Sequence, residues 1–175
     1  MRDLINIVEN ALRSAPIKGI DIDGAIRHFD MPVDLKPSEM KAAFAETKRQ
    51  FIAMFKGQKR ITIYRGLRVT ENWKPKNGLG RSWAFAEEGA MKGSGLAYWK
   101  PEHKGELGVM LFGEVSIDSV DWLTTIAVNA FHEDEQEIVL KPGAPIMLNM
   151  VCEADRFGVD SEYGVLMHPK MEFTA

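Results

Sequence analysis

The apolar positions of the chain change their spacing near residue 60. Before it they recur at three and four residues, the period of a helix; after it they alternate or run together, as strands do. In the N-terminal third, Asp3 is placed to cap a helix reaching about Ser14, with Leu4, Val8, Ala11 and Leu12 on one face and Pro16 closing it. A second, short helix is expected from Asp21 to Phe29. The strongest begins at Asp34 or Ser38. In it Met40, Phe44, Thr47, Phe51 and Phe55 form a stripe that reads as core, and Gly57 ends it. From Arg60 onward strands are predicted at about 60–69, 81–85, 107–117, 124–128, 135–141, 145–151 and 163–173. Turns such as Asn77-Gly78 and Lys141-Pro142-Gly143 separate them, and Ala84 to Met91 fits a short helix broken by Lys92-Gly93-Ser94-Gly95. Helices first and strands after indicate an α+β fold: one domain, helical over 1–59 and β-rich over 60–175.

Composition narrows this picture. The 175 residues, 45% of them hydrophobic, suffice for one substantial core. A formal charge of −3 and a pI near 5.8 do not point to broad nucleic-acid or anionic-membrane binding. The single cysteine, Cys152, allows no intrachain disulfide and suits a reducing compartment. Met1-Arg2-Asp3-Leu4 carries an early acid and Asn6 a polar break, so no secretory signal is read, and no apolar stretch is long enough to span a bilayer. The expected location is the cytoplasm, of the cell that makes the protein or of one into which it is delivered. His28, His103, His132 and His168 are scattered without metal-ligand spacing, so no metal is expected; His132 beside Glu133 and Asp134 is the one place where a histidine and acids adjoin.

Three elements carry candidate chemistry. In Ile61-Thr62-Ile63-Tyr64-Arg65-Gly66-Leu67, alternation puts Arg65 on a face with Ile61, Ile63 and Leu67. An arginine on an aliphatic face needs an anionic partner, either a structural ion pair or a bound phosphate or carboxylate held by its planar fork. Gly66 beside it permits close backbone approach. In Gly80-Arg81-Ser82-Trp83-Ala84-Phe85, Trp83 and Phe85 look like core, while Ser82 shares the other face with Ala84. Ser82 is either a hydroxyl satisfying a local backbone group or one that orients a carboxylate. Gly78-x-Gly80 and Gly93-x-Gly95 lack the third glycine of a dinucleotide fingerprint, which argues against a Rossmann fold. In Glu135-Gln136-Glu137-Ile138-Val139-Leu140, an extended chain would set both glutamates on one face, roughly 7 Å apart, at a cost in like-charge repulsion. Acid clusters are commonly solvated surface, so this segment gains meaning only from the other two.

Tyr64-Arg65-Gly66, then Arg81-Ser82-Trp83, then Glu135-Gln136-Glu137 with its apolar run resemble, in this order, the bacterial-toxin and phage branch of the NAD-dependent mono-ADP-ribosyltransferases. The likeness covers about the C-terminal two thirds of the chain. It implies a fold of split, mostly antiparallel sheets with helices on the N-terminal side and NAD bound between the sheets. It implies transfer of ADP-ribose from NAD, as substrate, to a target protein on arginine, with release of nicotinamide. In that reading Glu137 stabilises the oxocarbenium-like ribose through a ribose hydroxyl, Ser82 holds Glu137, and Arg65 binds the pyrophosphate or adjoining ribose. Gly66 meets the nicotinamide carboxamide, and Glu135 meets the acceptor and helps activate it. A register using Glu133 and Glu135 is the lesser choice, because Glu137 opens the apolar strand. In the family the segment after the serine carries a mobile loop, which gives Tyr98 or Trp99 a ring to stack on and Lys92, Lys100 or Lys104 a phosphate; residue by residue, an ordinary surface loop explains that segment as well. The family's serine motif is often Ser-Thr-Ser; here Ala84 replaces the third hydroxyl, which puts loop rigidity and acceptor choice in question. Two other outcomes use the same residues: an NAD glycohydrolase with water as acceptor, and a catalytically silent binding or inhibitory module. A nucleic-acid acceptor is left open by the resemblance, since some relatives modify nucleic acids.

Overall fold

Two long strands make the spine of the protein: β1, Arg60–Thr70, and β3, Glu106–Ser116, pair antiparallel from Arg60↔Ser116 to Thr70↔Glu106. The computed structural model describes residues 45, 48–50, 52–96, 105–129, 136–154, 165–167 and 170–175. The remaining strands are β2 (Ser82–Ala84), β4 (Glu137–Val139), β5 (Pro145–Glu153), β6 (Val165–Met167) and β7 (Met171–Thr174), with helices α1 (Glu87–Gly93) and α2 (Trp122–Asn129) between them. The sheet runs β4-β2-β1-β3-β5-β6, with β7 also on β5, and every pairing is antiparallel. Few helices and a mostly antiparallel sheet make this an α+β fold. No helix among the described residues is long and apolar enough to cross a membrane.

Alternation along the strands builds two apolar clusters, one on each face of the sheet. Ile61 and Ile63 of β1, Val109 and Leu111 of β3, Trp83 of β2 and Ile138 of β4 enter the larger cluster. Their neighbours Tyr64, Met110, Phe112 and Ala84 enter the smaller one, which α1 closes with Ala90 and Met91. Phe55 follows helical residues 52–54 and packs edge-on against Phe85 and tilted against Trp122. Gly57, at φ +74, marks the end of that helix as the sequence predicts. The expected helices from Asp3 and Asp21, and Met40, Phe44, Thr47 and Phe51 of the third, lie outside the described residues.

Three expectations are corrected. The segment 124–128 is helix, not strand: the carboxylate of Asp121 accepts from the Thr124 amide (3.2 Å) and hydroxyl (2.9 Å), capping a helix through a β-branched run. The segment 163–173 is two strands along one edge of β5, interrupted at Lys170, whose φ is +42. The segment 135–141 yields a strand of only three residues, 137–139: Gln136 before it is left-handed at φ +48, and Leu140 after it makes only an isolated bridge with Val120. The described strands join into one hydrogen-bonded sheet, in which β3 pairs with β1 on one side and β5 on the other, with a register shift between Phe112 and Gly113. The short helix expected at 84–91 is present as α1, starting three residues later and ending two later.

Candidate functional site

Arg65, Ser82 and Glu137 lie on three neighbouring strands at one end of the sheet order. Arg65 is half-buried, and its Nη1 donates to the Ser82 carbonyl at 2.6 Å. Burial lowers the guanidinium from its ordinary pKa, while the negative charge of Glu137 pulls the other way. An arginine titrates so high that it stays protonated through this. Its seat is made by Gly80. That residue has φ +91, and a Cβ there would lie 2.6 Å from Nη1 and 2.9 Å from Nη2 of Arg65. Glycine is needed at this position twice over, for its backbone angle and for the room it leaves. Gly80 is the site residue that sequence reasoning missed; its signal was the Gly-x-Gly spacing, tested only as a nucleotide fingerprint.

The register fixes the position of Glu137. Ala84 pairs with Tyr64 on one side and with Glu137 on the other, and Ser82 pairs with Val139. Directly paired residues project to the same face, so Tyr64, Ala84, Ser82 and Glu137 share one side of the sheet. Glu137 is 5% exposed. Strand alternation alone would send Arg65 to the other side, but its guanidinium lies at the β2 end, within electrostatic reach of Glu137. The Ser82 Oγ is buried and accepts or donates no hydrogen bond among the described residues. It is the hydroxyl nearest in register to Glu137 and is free to orient a carboxylate or a ligand hydroxyl. Gln136 sends its carbonyl back to the Phe85 amide (3.0 Å), and its side-chain Oε1 is likewise buried with no partner among the described residues.

The far edge of β4 faces α2. The Asn129 side chain accepts from the Glu137 amide at 3.0 Å and donates to the Glu137 carbonyl at 2.6 Å. One helical turn earlier, the Thr125 Oγ1 accepts from the Val139 amide at 3.0 Å. The Val139 carbonyl accepts from the Asp121 amide at 2.8 Å. The ion pair between Arg81 and Asp121 (3.0 Å), with Arg81 Nε on the Leu140 carbonyl (2.7 Å), ties the start of β2 to the same corner.

A second group of titratable side chains lies on the Glu137 face beside α1. Burial raises the carboxyl of Glu87, and the charge of Glu87 in turn adds to the burial that raises Tyr64 and Cys152. Tyr64 packs edge-on against Phe112, its partner in register. Gly66 is closed in by the residues just after α1: an added Cβ would collide with the Ser94 side chain and meet Leu96 Cδ1 at 2.8 Å. The backbone approach that Gly66 permits is thus made by the chain itself. Glu135, Tyr98, Trp99, Lys100, Lys104, the four histidines, Glu133 and Asp134 lie outside the described residues. Gln136, the first described residue of the segment 135–141, is left-handed at φ +48. No family model, curated protein or solved structure matches the chain significantly.

Proposed function

We propose that the protein is an NAD-dependent mono-ADP-ribosyltransferase that modifies a target protein, on arginine. One observation carries this reading: a half-buried arginine, a buried serine hydroxyl and a buried glutamate come from three separate sequence motifs onto adjacent strands, with the arginine under the electrostatic influence of the glutamate. Each residue type meets a requirement of the chemistry. The bond between nicotinamide and C1′ of the ribose breaks, and nicotinamide leaves with the electron pair. A nucleophilic nitrogen of the acceptor then bonds to C1′ and gives up a proton. Positive charge develops on the ribose between these events, and the fixed carboxylate of Glu137 opposes it more strongly than water does. Ser82 has a hydroxyl available to hold that carboxylate or the ribose. Arg65 offers a planar, permanently charged fork to the pyrophosphate. Glu135 takes the acceptor in this reading and the peptide groups of Gly66, whose α-carbon side is filled by the chain, support the nicotinamide end, with Tyr98 and Trp99 as the aromatic neighbours.

The test is incubation with NAD labelled in its adenylate half, with and without a cell lysate. Labelled protein is the expected result. Free ADP-ribose alone indicates a glycohydrolase, and neither product indicates a silent module. Glu137→Gln should lower kcat by roughly a hundredfold or more while NAD affinity and the fold persist, because the lost charge acts in the transition state. Wild-type turnover by Glu137→Gln removes the carboxylate from the mechanism and the proposal with it.

A further inference from the structure

We infer that Asn129 is a positioning residue for the catalytic glutamate, acting through the backbone of Glu137 from a helix outside the three motifs; this rests on the transferase reading of the site. A strand at the edge of a sheet has no neighbour on one side to fix its backbone, and β4 has only three residues with which to hold itself. Its inner edge pairs with β2 through Trp83↔Ile138, and is extended by the Phe85 amide on the Gln136 carbonyl and the Leu140 amide on the Arg81 carbonyl. That leaves the peptide groups of Glu137 and Val139 pointing outward. A neighbouring strand would meet each residue with one acceptor and one donor. The carboxamide of Asn129 provides the same pair: Oδ1 takes the Glu137 N–H at 3.0 Å and Nδ2 gives to the Glu137 C=O at 2.6 Å. Nδ2 also donates to the Thr125 carbonyl at 2.8 Å, which fixes the amide plane against its own helix.

The residue held in this way is the one whose carboxylate placement matters. Gln136, immediately before it, is left-handed, so the chain enters Glu137 from an unfavourable backbone angle that needs holding from the other side. The Asn129 side chain holds Glu137 by its backbone N–H and C=O. Its effect is on the position of the Glu137 Cα, and a small displacement of a catalytic group is costly to rate. Thr125, bonded to Val139 two residues further along, supports the strand without touching Glu137.

Two measurements on Asn129→Ala test this. In steady-state kinetics, kcat for nicotinamide release should fall roughly tenfold or more, with KM for NAD within about twofold of wild type. In backbone amide exchange by NMR, protection at Glu137 should fall roughly tenfold while that at Val139 stays near wild type. Thr125→Val should give the converse, loss of protection at Val139 with a smaller effect on kcat. If Asn129→Ala does not fold, the near-isosteric Asn129→Asp carries the same kinetic expectation, since its carboxylate would face the Glu137 carbonyl without a proton to donate. Unchanged exchange at Glu137, or a rise in KM with kcat preserved, overturns the inference. If the wild-type protein turns over no NAD, the transferase reading falls, and the exchange data alone decide whether Asn129 anchors the strand.

Discussion

At Gly80 a single hydrogen atom decides where an arginine lies. The residue has φ +91 and its α-carbon faces the Arg65 guanidinium. Gly80→Ala combines a disfavoured backbone angle with a methyl 2.6 Å from Nη1, so it should destabilise the protein by about 1–3 kcal/mol and, under the proposed function, weaken NAD binding as Arg65 is pushed aside. Urea unfolding and titration calorimetry measure the two effects, and an ordinary surface response within about 0.5 kcal/mol would contradict the packing. Glu87 offers a test of a different kind. Burial raises its carboxyl pKa, so the folded state favours the neutral form. The stability associated with that neutral form is present in acid, below the unfolded carboxyl's pKa, and is lost as the pH rises through the raised folded value. Glu87→Gln, neutral at every pH, should therefore be more stable than wild type near neutrality, with the difference closing in acid. Thermal unfolding across that range checks the sign; a variant less stable than wild type at neutral pH would show that the charge of Glu87 is favourable where it is.

At the scale of elements, α2 is where sequence and structure diverge most, for a physical reason. Thr124 and Thr125 belong to residue types that favour strands, and their neighbours are apolar, so 124–128 has the composition of a strand. The helix forms because Asp121 caps it and because the Thr125 hydroxyl is engaged by the Val139 amide, a long-range bond that no local pattern contains. Asp121→Ala removes the cap and the partner of Arg81 together, and should cost about 1–2 kcal/mol, lowering Tm by roughly 2–8 °C. Asp121→Asn keeps a capping oxygen and should recover part of that loss; equal Tm values for the two substitutions would place the whole effect in the ion pair. Elsewhere local patterns were informative. The aliphatic alternation around Arg65 marked both its strand and its need for a partner, and Trp83 and Phe85 were recognisable as core. The left-handed turn at Gln136 was not legible, since glutamine carries no signal for that conformation, yet it lies inside the stretch whose alternation reads as strand.

At the scale of the whole molecule, one sheet separates two apolar clusters and its strands belong to both. Ile63 of β1 is fully buried in the larger cluster, and its neighbour Tyr64 packs on the smaller. Neither face can come apart without the strand that serves the other. Ile63→Ala should cost about 2–5 kcal/mol, and far-UV circular dichroism and tryptophan fluorescence should report one shared midpoint before and after the change. Separated midpoints would mean that the two faces melt independently. The arrangement at β4 has a consequence for neighbouring copies of the protein as well. The outward peptide groups of Glu137 and Val139 are all engaged by Asn129, Thr125 and Asp121. A bare sheet margin invites another chain to add itself, the first step toward swapped dimers and fibrils. Here two side chains and one amide from a helix end occupy every bonding position such a strand would need, so this margin offers no template for polymerisation.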